Sequence, residues 1–327
     1  MNSFAFTQVK NAMPVRFVKT KLYDILEKLI AQKEKNTQFL TQAAYQIVNL
    51  VKSNLLDIKS DQVLDDLTVK HSIEMNDSRN EIYQIARNAF KETLKQKGIV
   101  DYMDQVYFVY AFNLPVAQYD IFIGDEIQDW NSLQQYIMMR AIESKGRFIG
   151  VGDKNQAIYG FSGADTNSIS NLRDMLQKTS RSIESMPLTF TRRCPVSHVK
   201  LAQAIVPELE ALPDAIEGIV ESMVLDKAIT LIKSGDMGIC RRNAPLISIA
   251  YKLIREGKTV IVKGRNIGEG LIALINKLKP NDLSDLIDKA EAYRTKEADK
   301  LVTKGKKAEN ALEALNDKIN TLLQFID

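Results

Sequence analysis

Two short apolar runs, residues 121–123 (Ile-Phe-Ile) and 148–151 (Phe-Ile-Gly-Val), constrain this chain more than anything else in it. The first stops at Gly124 and then at two adjacent acids, Asp125 and Glu126; the second stops at Gly152 and Asp153. Runs of this length bounded by turn residues read as buried strands. Between them Leu133, Ile137 and Ala141 fall four apart with Tyr136 beside them, the spacing of a helix, and Gly146 is expected to end it. Strand, helix and strand in so short a span need a crossover connection, so the two strands are expected to be parallel. Gly152 and Asp153 then reach the same end of the sheet as Asp125 and Glu126, where open α/β sheets hold their ligands.

The chemistry that suits such an edge is nucleotide hydrolysis. An Asp at a strand end can hold Mg²⁺ against phosphate oxygens, and a neighbouring Glu can orient or deprotonate the attacking water. Gln156, three residues beyond Asp153, offers a neutral amide to a γ-phosphate. Tyr159 and Phe161 follow at once, with faces suited to stacking the bases of a single strand. Each residue alone has a plainer use: acids after a strand cap helices, aromatics fill cores, and a Gln in a turn means little. The argument rests on the order DExxD, a β-α-β gap, then GDxxQxIYGFxGAD.

Those residues resemble motifs II and III of the UvrD, PcrA and Rep type of superfamily 1 DNA helicases, ATP-driven motors on single-stranded DNA. DEIQD (125–129) is similar to the family's Walker B motif, and GDKNQAIYGFSGAD (152–165) to its motif III. LTFTRRCP (188–195) is similar to motif IV and puts Arg193 on the arginine that contacts the γ-phosphate. Ser162 stands where many relatives carry Arg, and Thr191-Arg192 replace the usual Asn-Tyr. The resemblance implies ATP and Mg²⁺ as cofactors, with Asp125 as metal ligand and Glu126 as the residue that activates water. It implies Gln156 and Arg193 at the γ-phosphate, Tyr159 and Phe161 on single-stranded DNA, and movement in the 3′ to 5′ direction.

The fold implied is α/β, a RecA-like parallel sheet core of the P-loop NTPase type with large helical insertions. Residues 1–100 carry three helical apolar stripes and are similar to the family's helical 1B subdomain. Asn76, Asp77 and Ser78 are cap candidates for the third helix and Gly98 its stop. DYMDQV (101–106) resembles the acidic motif where that insertion rejoins the motor, so residues 101–206 are read as the 1A core. Residues 207–280 are read as the start of a 2A domain, with strands expected at 237–240 and 260–262, and residues 281–327 as a 2B-like helical hairpin broken at Gly305.

No GxxxxGK[ST] occurs in the 327 residues. The one GKT, at 257–259, leaves a helical pattern and has no Gly five positions earlier, so Gly257 is expected to cap a helix C-terminus. The family's phosphate-binding motif is expected upstream of Met1 or on a separate P-loop-bearing chain, and motifs V and VI beyond the last residue. Two readings follow: part of an ATP-dependent helicase, or a truncated remnant that binds DNA or a partner and hydrolyses nothing.

Composition sets broad bounds. The content is 45% hydrophobic, that of a globular core, and a net charge of +3 is too small to argue nucleic-acid binding except in a local groove. Cys194 and Cys240 form no CxxC, and His71 and His198 have no ligand-like neighbours, so neither zinc nor disulfides are expected. With no charged-then-apolar leader and no long apolar run, the expected setting is the cytoplasm, away from membrane; the resemblance implies a bacterial or phage-infected cell.

Overall fold

A computed structural model describes residues 2–31, 37–157, 167–179, 182–262, 267–302 and 309–326. The chain is mixed α/β, mostly helical, with small parallel sheets. The elements are α1 (Asn2–Ala12), β1 (Arg16–Phe17), α2 (Lys21–Ile30), α3 (Thr37–Asn54), α4 (Asp61–Lys70), α5 (Arg79–Lys95), β2 (Ile99–Val100), α6 (Asp104–Ala111), β3 (Tyr119–Gly124), α7 (Ser132–Ala141), β4 (Ile142–Gly150) and α8 (Ser168–Gln177). There follow β5 (Phe190–Thr191), α9 (Val196–Ala202), β6 (Glu210–Ala211), α10 (Leu225–Leu231), α11 (Asn243–Arg255), α12 (Ile267–Leu278), α13 (Leu283–Val302) and α14 (Glu309–Gln324). Two compact units result: Met1–Arg181 with Lys296–Leu315, and Ser182–Thr295 with Asn316–Asp327.

In the first unit the three helical stripes pack on one another. Leu22, Ile25, Leu26 and Ile30 of α2 bury against Ala44, Ile47, Val48 and Val51 of α3 and Ile82, Ile85, Ala86 and Ala89 of α5. The periodicity of 3.6 places each set on one face. Two lysines lie inside this apolar mass. Lys21 Nζ donates to Asp104 Oδ2 (2.6 Å) and to the carbonyls of Thr93 (2.8 Å) and Ile99 (2.7 Å), while Lys52 Nζ lies 2.6 Å from Asp104 Oδ1. Phe108 and Tyr107 lie beside them, with ring centroids 4.8 Å from Lys21 Nζ and 5.7 Å from Lys52 Nζ. Asp101, also buried, accepts from the backbone N–H groups of Met103 and Asp104 through Oδ1. The segment 101–106 thus anchors α6 to the helical region through buried charge.

The β-α-β reading is met in its topology and corrected in its bounds. β3 and β4 pair in parallel with Ile121 opposite Arg147, Phe122 opposite Phe148, Ile123 opposite Ile149 and Gly124 opposite Gly150. The helix ends at Ala141, five residues before Gly146, and β4 begins at once. Gly146 serves close strand approach: a Cβ there would lie 2.8 Å from the Tyr119 carbonyl oxygen and 3.0 Å from the Glu143 nitrogen. Nor are the runs buried on both faces. Phe122, Phe148, Phe4 and Trp130 form a connected aromatic layer on one side, whereas Ile121 and Ile123 are 58% and 68% exposed and Ile149 and Val151 are also open.

Other expectations change similarly. Residues 76–78 form a short 3₁₀ turn before α5 and Ser78 makes no side-chain cap, while α5 ends at Lys95, ahead of Gly98. Residues 237–240 and 260–262 form no strand, and Ile239 and Ile261 are exposed there; among the described residues neither segment pairs with a neighbouring backbone, and a strand exists only through its ladder. Gly257 does end a helix. Its φ is +76°, its N–H donates to the Ile254 carbonyl (2.9 Å), and the Lys258 N–H donates to that of Leu253 (3.0 Å), the paired bonds of a Schellman turn. The GKT is therefore a helix stop. In the same unit Asp317 caps α11, accepting from the backbone N–H of Asn243 (2.9 Å) and Ala244 (3.1 Å). α13 and α14 form as expected; Gly305 between them lies outside the described residues.

Candidate functional site

Asp125 and Glu126 occupy a two-residue excursion pinned at both ends to Val151. The Val151 N–H donates to the Gly124 carbonyl at 2.8 Å, and the Ile127 N–H donates to the Val151 carbonyl at 3.0 Å. Both acids are exposed at the C-terminal end of β3. Asp125 Oδ1 accepts from the Glu126 N–H at 2.9 Å. Glu126 has φ +51° and ψ 43°, the left-handed region, and heads a 3₁₀ turn over Ile127–Asp129. Such a backbone costs a non-glycine residue energy and persists only where the surroundings enforce it. Here the double pin on Val151 enforces it.

The surroundings are packed without slack. A Cβ on Gly124 would meet the Trp130 ring at 2.5 Å, and one on Gly152 would meet Gln128 Oε1 at 2.6 Å and the Ile127 nitrogen at 3.2 Å. Ser168, the first residue of α8, donates through Oγ to the Ile127 carbonyl at 2.6 Å and accepts from Gln135 Nε2 of α7 at 2.9 Å. α7 itself starts with a reciprocal cap, in which Asn131 Oδ1 accepts from the Gln134 N–H and Gln134 Oε1 from the Asn131 N–H, both at 3.0 Å. Two helices are thereby fixed against the acid turn.

Gln128 joins this turn to the next. Buried to 3% exposure, it donates through Nε2 to Glu126 Oε2 and accepts through Oε1 from the Asp153 N–H at 3.1 Å. Asp153 in turn holds its own loop: Oδ1 accepts from the Asn155 N–H and Oδ2 from Gln156 Nε2, both at 2.9 Å. Asp125, Glu126, Asp153 and Gln156 are thus brought to one end of the β3–β4 pair, linked through Gln128. Arg193 stands in the second unit, exposed, with its N–H on Thr191 Oγ1 at 3.3 Å. Tyr159 and Phe161 lie outside the described residues.

Asp129 closes the turn. Loss of hydration, and then the neighbouring Glu126 charge, push its carboxyl above the ordinary aspartate value of 3.8, and its Oδ1 is buried without a hydrogen-bond partner among the described residues. Among the described residues no group of three or more His, Cys, Asp or Glu side chains converges to hold a metal. The donor set at Asp125 nonetheless suits Mg²⁺, an oxygen-seeking ion held by one or two carboxylates with phosphate and water making up its shell.

Gln128 and Ser168 are neutral and buried, so no charge pattern in the sequence marks them. The available signal was position: Gln128 sits between Ile127 and Trp130, both buried, where an amide must find partners.

Residues 5–177, more than half of the chain, match the UvrD/REP helicase N-terminal domain family. The chain belongs to that family, and so to the UvrD-type helicases that act on nucleic acid. The matched span takes in both acid turns and stops before Arg193. No curated protein matches the chain. No described helix is long and apolar enough to cross a membrane.

Proposed function

We propose that this chain is part of an ATP-dependent helicase motor that couples ATP hydrolysis to movement along single-stranded DNA in the 3′ to 5′ direction. The observation that carries the reading is the unbroken hydrogen-bonded path from Glu126 through Gln128 to Asp153 and Gln156, at the end of a parallel strand pair. A base for water and a sensor for the γ-phosphate must respond to the same event, and this path gives them a common frame.

In this reading β3 and β4 belong to a RecA-like sheet of a 1A core (101–206), residues 1–100 form a 1B-like helical subdomain, residues 207–280 open a 2A domain, and residues 281–327 form a 2B-like hairpin. Asp125 would hold Mg²⁺, which on binding supplies charge neutralisation to ATP phosphate oxygens. Glu126 takes the proton of the attacking water, Gln156 bonds the γ-phosphate, and Arg193 offsets charge on it. Tyr159 and Phe161 stack DNA bases. The phosphate cradle comes from a P-loop-bearing segment outside these residues, on this polypeptide or on a separate chain.

The test is ATP turnover with single-stranded DNA after adding a polypeptide that carries strand, GxxxxGK[ST] and helix. DNA-stimulated hydrolysis that Glu126→Gln abolishes supports the reading. DNA binding with no turnover under any pairing overturns it in favour of a non-catalytic remnant.

A further inference from the structure

A planar side chain that both donates to a candidate base and accepts from a neighbouring turn can transmit the position of one to the other. Gln128 has this geometry. Its Nε2 is on Glu126 Oε2, its Oε1 is on the Asp153 N–H at 3.1 Å, and it is buried. It has little room to swing, because Gly152 packs against Oε1 so tightly that even a methyl group would intrude. The Glu126 backbone is held left-handed by the Val151 pins, so the side chain is what remains free to turn. With Oε2 engaged by Gln128, Oε1 is the oxygen left to accept a proton.

We propose that Gln128 is a positioning residue that makes the orientation of the Glu126 carboxylate depend on the turn of residues 153–156. Its functional meaning rests on the hydrolysis reading above: loss of the γ-phosphate contact at Gln156 moves Asp153, and Gln128 carries that movement to the base. The residue type is demanded by the two bonds. Met offers neither bond, and Asn is one methylene short.

The experiment is residue-resolved amide hydrogen exchange on the full 327-residue chain without nucleotide. Glu126 is exposed, so Glu126→Ala leaves the core intact, and it removes the anchor of the Gln128 amide. Protection of the Asp153 amide is expected to fall about tenfold, the weight of one hydrogen bond near the upper end of the net range. Glu126→Gln, which keeps an acceptor, restores it. In a Gln128→Met background both bonds are cut, so Asp153 protection falls by itself and Glu126→Ala has no further effect. Should Gln128→Met lose its cooperative melt, Gln128→Leu replaces it with the same expectation. Asp153 protection that is indifferent to Glu126→Ala, or that still responds to it once Gln128 is replaced, overturns the proposal. Because no nucleotide is used, an intact exchange coupling beside absent ATP turnover sinks the hydrolysis reading alone.

Discussion

Lys52 Nζ lies 2.6 Å from Asp104 Oδ1, and neither side chain reaches solvent. Lys21 grips the other oxygen of the same carboxylate at the same distance, so one acid satisfies two buried cations. Burying charge is costly, and here burial outweighs the Asp104 attraction enough to lower the Lys21 pKa below its ordinary 10.5. The cluster therefore sets geometry more than it adds stability, fixing α6 against α2 and α3 ahead of β3.

Asp104→Asn strands two ammonium groups in the core. The expected loss is about 3–5 kcal/mol in denaturant unfolding, the scale for breaking a buried pair from one side. Replacing all three residues together by Lys21→Met, Lys52→Met and Asp104→Leu should recover most of it. A single Asp104→Asn variant that unfolds at the native midpoint would contradict this account.

Asp101 gives a pH signature. Burial, and then the Asp104 charge, raise its carboxyl above 3.8. A raised acid binds its proton more tightly in the folded state, so the contribution favours folding below the unfolded value and is lost as pH rises through the folded one. Asp101→Asn keeps an oxygen for the Met103 and Asp104 N–H groups and removes the charge. The variant should be more stable than the native chain at neutral pH, with the gap closing below about pH 4. Melting temperatures across that range measure it; a gap that widens in acid refutes it.

Much of this was legible in the sequence. The parallel β-α-β unit, the placement of Asp125, Glu126 and Asp153 at one sheet end, the three helical stripes and the Gly257 helix stop all follow from periodicity and turn chemistry. The misses have physical causes. Gly146 has the residue type of a helix breaker, yet it admits a neighbouring strand, and residues 237–240 have the composition of a strand with no ladder to join among the described residues. Lys21 and Lys52 lie on apolar stripes, yet a lysine there passes for one that reaches out to water. What no local pattern reveals is that a carboxylate 83 and 52 residues away meets them.

Single-stranded DNA binding tests the aromatic pair. Replacing Tyr159 or Phe161 with Ala should weaken binding by ~1–3 kcal/mol with little dependence on base sequence. Fluorescence anisotropy with oligonucleotides of different composition reads this out. An unchanged affinity, or loss of the cooperative melt in both variants, assigns those rings to the core.

The bare side of the β3–β4 pair makes a further prediction. Parallel strands are normally covered on both faces, and Ile121 and Ile123 here are open. Ile121→Thr with Ile123→Thr should reduce self-association in sedimentation while moving the melting temperature little. A strand-and-helix polypeptide bearing GxxxxGK[ST] should raise the melting temperature of the native chain and not that of the double variant. Equal stabilisation of both would place the added piece elsewhere.

The left-handed backbone at Glu126 also bears on what mutation can do to this protein. A single base change turns a glutamate codon into one for Gly, Ala, Val, Asp, Lys or Gln. Of these Gly relieves the backbone most, by roughly 1–2 kcal/mol, and it erases the carboxylate in the same step. Drift at this position therefore has a direction: the easiest gain in folding discards the base. A lineage that keeps Glu126 does so against that slope, and sequencing populations grown with and without demand for the activity would show whether glycine accumulates only in the second.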